Sequence, residues 1–169
     1  MTMTILLSCI AVLLGLALAT RALGSNPRPA WLLDLHRFVG GLTTFFIGVH
    51  VAALVADSFV RFTFSDITVP FTSSYQRLPV AWGVLAMWLL LAVEATSLMM
   101  KQLPKETWRK IHLTSYVAAA LATLHGFTAG TDAKNPVYIW ASVGSVSAVG
   151  FFLVYRLLLP RRLPVAKGK

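Results

Sequence analysis

Hydrophobic positions along the chain fall into five long runs, and most polar and turn-forming residues lie in the gaps between them. The runs cover about 4–23, 31–57, 79–100, 108–130 and 137–159. A helix rises ~1.5 Å per residue, so a bilayer's ~30 Å hydrocarbon core takes about 20 apolar residues in that form. The bilayer core has no water for backbone amides, so runs of this length predict helices. The pattern predicts an all-α, polytopic bundle of five transmembrane helices. It reads as a single membrane domain over 1–169, in a multi-pass protein of the cell membrane.

The gaps are short. Gly24-Ser25-Asn26-Pro27-Arg28-Pro29 cannot continue a helix and reads as a linker. Residues 58–78 form the longest loop, aromatic and hydroxyl-rich, suited to lie on the membrane surface or to cap a site. Residues 101–110 make a compact basic loop, 131–136 a turn, and 160–169 a basic cytoplasmic tail. Ala17-Leu18-Ala19 imitates a signal-peptide cleavage site. No basic segment precedes the first run, however, and Arg21 and Arg28 follow it, which predicts a retained helix.

Composition agrees: 57% of residues are hydrophobic and 12% charged, against about 25% charged in soluble domains. A net charge of +9 would suit a nucleic-acid partner in a soluble chain. Here the cations sit at helix ends, so no nucleic acid is expected. They concentrate in the 21–30 linker, the 101–110 loop and the 156–169 tail, which are alternate gaps. Positive-inside placement then puts the N-terminus outside and the C-terminus in the cytoplasm. The single cysteine, Cys9, excludes an intrachain disulfide and a cysteine metal cluster.

The candidate chemistry lies in four histidines, all that the chain has. His36 and His50 share the second run; His112 and His125 share the fourth. Ionisable side chains at membrane depth default to a functional reading. Two runs separated by one more run are parallel. His36 and His112 therefore fall near the cytoplasmic starts of their helices, and His50 and His125 toward the outer half. Each level then offers one imidazole from each helix, as axial ligation of two b-type haems requires. Fourteen residues at ~100° each leave His36 and His50 about 40° apart, on one face. Thirteen leave His112 and His125 about 140° apart. That demands a tightened stretch between Ser115 and Thr123, or haems approaching from different sides.

Other residues fit around this reading. Gly40, Gly41 and Gly48 could admit a flat macrocycle or serve helix packing. Arg37, Arg109 and Lys110 could pair with haem propionates or act as topology-setting cations. Trp31 and Trp108 suit the interface. Glu94 could relay a proton, form a salt bridge or snorkel. Two other classes stay open: a non-redox membrane subunit whose histidines only tie helices together, and a divalent-metal permease.

The pattern His36-x13-His50, then Trp108-x-x-Ile-His112-x12-His125 on the next helix but one, resembles the ferric reductase-like transmembrane domain. That family includes ferric reductases, NADPH oxidases and a bacterial haem subunit serving a periplasmic methionine sulfoxide reductase. The resemblance covers about 30–130, and the unequal spacings match the oxidase and ferric reductase branch. It implies that His36 and His112 hold an inner haem b and His50 and His125 an outer one. It also implies electrons crossing from a cytoplasmic flavin to an outer acceptor, as an oxidoreductase component. The sequence departs from the family in having five predicted helices where many relatives have six. No Gly-rich phosphate loop occurs in it. A flavin is therefore expected only through a partner: a separate cytoplasmic flavin reductase, with membrane quinol as the alternative donor. Ferric iron, oxygen or a periplasmic protein is the expected acceptor.

Overall fold

The computed structural model describes residues 2–20, 30–130 and 135–158. Among them are seven helices: α1 (Thr2–Thr20), α2 (Ala30–Ala56), α3 (Phe64–Thr68), α4 (Arg77–Leu98), α5 (Lys105–Leu113), α6 (Ser115–Ala129) and α7 (Pro136–Leu158). The expected 24–29 linker, most of the 131–136 turn and the 160–169 tail lie outside the described residues. Proline starts α7 and sits in the first turn of α4, where a missing N–H costs no helical bond. Many hydroxyls inside the helices are satisfied locally, although Ser142 Oγ of α7 is buried without a partner among the described residues. Thr20 donates to Leu16 O, Thr43 to Val39 O and Thr123 to Ala119 O, as apolar surroundings require.

Two stretches differ from the expected pattern. The fourth run is not one helix: α5 ends and α6 begins at Thr114. There the amide bonds Ile111 O at 3.0 Å, one residue short of the α-helical partner, and the hydroxyl caps the same carbonyl at 2.7 Å. The tightening thus falls just before the expected Ser115–Thr123 window. The 58–78 stretch contains α3, closed by a capping box between Thr63 and Asp66. Thr63's hydroxyl and backbone N–H hold the Asp66 carboxyl below the usual carboxylate range. Left-handed backbone at Phe71 and Gln76 turns the chain back toward α4. Arg77 Nε donates to Phe71 O at 2.8 Å, and Trp88 Nε1 donates to Thr68 O at 2.8 Å. The loop is thereby pinned to the side of α4.

α1, α2, α4 and α6 occupy the corners of a square. α1 packs on α2 and α6, and α4 packs on α6 and α2. α2 and α6 face each other across the diagonal without a packed interface of their own. α7 packs on α1 from outside. Ile5 and Cys9 at the start of α1 meet Phe127 near the end of α6, so α1 and α6 are antiparallel. Buried residues are few and lie on the inward faces, among them Leu16, Leu32, Ala81 and Ala118. Phe38, Phe45, Phe151 and Leu157 point outward. An exterior this apolar needs lipid, not water. Three helices, Met3–Thr20, Ala30–Ala56 and Arg77–Leu98, are long and apolar enough to cross a membrane, and Ser142–Leu158 is a shorter apolar stretch.

Candidate functional site: four histidines across one diagonal

The histidines bridge the unpacked diagonal. His36 of α2 faces His112 of α5 with ring centroids 6.0 Å apart and planes crossed by 72°. His50 of α2 faces His125 of α6 at 6.3 Å and 65°. The pairing expected from depth is the one observed, and it makes α2 parallel to α5–α6. The Thr114 break explains how thirteen residues reach the same diagonal. Thirteen residues fall short of a fourth full helical turn, and a 3₁₀-type turn rotates ~120° per residue instead of ~100°. Tightening therefore swings His125 toward the His112 face.

The other two corners orient the rings. His36 Nδ1 lies 3.0 Å from Ala11 O on α1, and His125 Nδ1 lies 2.8 Å from Pro79 O on α4. In both cases the residue four places after the carbonyl is glycine. A Cβ on Gly15 would stand 3.3 Å from the His36 ring, and one on Gly83 only 2.8 Å from His125 Nδ1. Each carbonyl already lies in a helix, so the imidazole needs a bare backbone to reach its second lone pair. His112 Nδ1 meets Ser97 Oγ of α4 at 3.3 Å, and the ring stacks on Trp108 at 5.0 Å. In the orientation these contacts set, Nδ1 carries the hydrogen bond and Nε2 is left available, the arrangement that fixes metal-binding histidines.

The chain matches the family described as ferric reductase like transmembrane component over residues 2–123. It belongs to that family. The matched segment begins in α1 and takes in His36, His50 and His112; it stops two residues before His125. Comparison with curated proteins and with solved structures finds no match. Family and helices together make the chain a multi-pass membrane protein, with the membrane electron-transfer character of ferric reductase-like components.

Within this family member, α1 is a part of the site that the histidine pattern alone does not reveal. The sequence mark it leaves is a lone glycine inside an apolar run, at 15 and again at 83, which pattern reading passes over. The glycines singled out from the sequence do something else. Gly40 and Gly41 lie opposite the Glu94 carboxyl of α4, and Gly48 has open space. Arg37 stands exposed 3.8 Å from Asp34, and Lys110 bonds Glu106 at 2.9 Å on the exposed face of α5. Arg109 is exposed on the same helix. All three sit at the His36–His112 end of the bundle. Among the described residues no group of three or more His, Cys, Asp or Glu gathers at one point; the imidazoles come two by two.

Proposed function

We propose that the chain is a transmembrane b-type cytochrome that passes electrons through two bis-histidine haems. The facing of His36 with His112 and of His50 with His125 carries the reading. Imidazole nitrogen binds a first-row metal at about 2 Å, and each ring centre lies ~1 Å behind its nitrogen. Two imidazoles sharing one iron therefore stand with centroids about 6 Å apart, which is the separation of both pairs. Crossed ring planes are compatible with one shared axis. α2 and α6 are not closely packed on one another, and the histidine rings stand between them. Trp108 Nε1 is buried beside His112 with no acceptor among the described residues, as an N–H awaiting a propionate would be. Arg37, Arg109 and Lys110 at that end suit the same carboxylates.

When bound, each haem would supply one-electron redox chemistry. The residues do the rest. His36, His112, His50 and His125 fix two positions roughly 20 Å apart along α2, Ala11, Pro79 and Ser97 orient three of those rings, and the apolar corners exclude water. In the membrane we infer five spans, with α5–α6 forming the fourth, the N-terminus outside and the His36–His112 pair toward the cytoplasm. Alternating helix directions and the alternating cations support this. With haems held there, electrons would enter at that pair from a flavin reductase or quinol and leave at the other to ferric iron, oxygen or a periplasmic protein. Purified, haem-replete protein should show a reduced b-type spectrum with two haems per chain. A colourless protein from haem-rich cells would leave the histidines a purely structural role.

A further inference from the structure

One ionisable group at membrane depth is not used by this scheme. Glu94 lies on α4 one turn before Ser97, whose hydroxyl touches His112. Its carboxyl lies against α2 at two adjacent glycines. A Cβ on Gly40 would lie 3.5 Å from Oε2, and one on Gly41 3.9 Å from Oε1. Gly40 in turn is one turn after His36. Glu94 therefore stands about one turn, ~5 Å along the axis, from the His36–His112 pair, on the side toward the other pair.

No described residue neutralises it. On α2 the nearest cation, Arg37, is exposed beside Asp34, and His36 bonds Ala11. On α5 Lys110 bonds Glu106, Lys105 and Arg109 are exposed, and His112 meets Ser97; Lys101, beyond the end of α4, is exposed too. α6 carries no Lys, Arg, Asp or Glu; its Tyr116 accepts from Arg156 of α7. Asp66 of α3 is exposed and held by the Thr63 capping box, in the loop pinned beside Trp88 of α4. The carboxyl thus rests beside the Gly40–Gly41 backbone of α2 with no charged partner among the described residues.

We infer that Glu94 is a proton-accepting site coupled to the redox state of the His36–His112 centre; this rests on the haem reading above. An isolated carboxylate at this depth is costly without a compensating charge. Apart from its propionates, which the cations at that end suit, a bis-imidazole ferric haem carries one positive charge at its iron–porphyrin core and loses it on gaining one electron. Glu94 is thus held ionised beside the oxidised centre. It takes one proton from the cytoplasmic side, becoming the neutral acid, as one electron arrives from the flavin or quinol donor. Linkage makes the coupling reciprocal: lower pH favours the reduced centre.

The test is a spectroelectrochemical titration of the full chain in lipid nanodiscs across neutral pH, for wild type, Glu94→Gln and Glu94→Asp. In wild type, within a bounded pH window, the reduced-to-oxidised ratio of one haem at fixed potential should change about tenfold per pH unit, as one proton per electron requires. Glu94→Gln should flatten that response and leave the second haem unchanged; Glu94→Asp should keep it. The redox-difference infrared spectrum of wild type should contain a protonated-carboxyl band that Gln removes. Two bound haems with no pH response, or a response that survives Glu94→Gln, overturn the coupling alone. A wild type that binds no haem overturns both the coupling and the cytochrome reading. If Glu94→Gln fails to assemble, the Asp variant and the wild-type infrared band still decide.

Discussion

The His36–His112 and His50–His125 pairs stand at nearly equal ring separations, 6.0 and 6.3 Å, yet they are held by different means. In the first, both rings have polar partners from other helices, Ala11 O of α1 and Ser97 Oγ of α4, and Trp108 stacks on His112. In the second, the support is concentrated in one turn of α4. His125 takes the shorter carbonyl bond, to Pro79, and lies against Gly83. His50 has the His125 ring beside it and no hydrogen bond among the described residues. A centre braced from three helices should absorb single losses, whereas a centre braced by one turn should fail when that turn changes.

The largest break is expected at Gly83. A Cβ there meets His125 Nδ1 at 2.8 Å, and the ring cannot yield without losing Pro79 O. Overpacking of this kind costs about 1–3 kcal/mol. Gly83→Val should reduce haem content from two to one per chain, measured as extracted pyridine haemochrome. Gly15→Ala, at 3.3 Å from the His36 ring, should keep both. Equal losses from the two changes would erase the contrast between the centres.

Trp108→Phe comes next. It keeps a stacked ring and removes the buried N–H, so the His36–His112 centre should hold haem about 1 kcal/mol less tightly, roughly fivefold faster release to apomyoglobin. The other centre should not change. Ser97→Ala removes a long 3.3 Å contact and should cost less, under ~1 kcal/mol, seen as a two- to threefold change in the same assay. The smallest effect belongs to the loop. Asp66 is held below its usual range, so the stabilisation it gives α3 is complete above the unfolded value of ~3.9 and is lost as pH falls through the lower folded value. Fluorescence from Trp88, bonded to the end of α3 at Thr68, should stay flat near neutrality and change only in acid. A transition near neutral pH would contradict the capping-box account.

Much of the architecture was legible because membrane depth acts on sequence directly. Helix starts and ends fall within about three residues of the apolar runs wherever both are described. The histidine pairing followed from parallel helices and matched depths. Other features left weaker marks. The Thr114 break depends on one hydroxyl capping Ile111 O, and nothing in an apolar run distinguishes that threonine from Thr123, whose hydroxyl bonds Ala119 O within an intact helix. The part played by α1 was hidden because a backbone carbonyl supplies it, and every residue carries one of those. Gly15 and Gly83 were visible letters whose meaning came only from which ring lies over them. Gly40 and Gly41 drew notice through closeness in sequence to His36, while their actual neighbour, Glu94, comes from another helix.

The pairing of histidines across the diagonal is the central claim, and single His→Ala variants test it most directly. Haem content and reduced-minus-oxidised spectra would be recorded for His36, His112, His50 and His125 variants beside wild type. Wild type should carry two spectrally separable haems per chain. His36→Ala and His112→Ala should lose the same one, and His50→Ala and His125→Ala the other. If His36→Ala and His112→Ala lose different haems, or wild type binds none, the account is wrong.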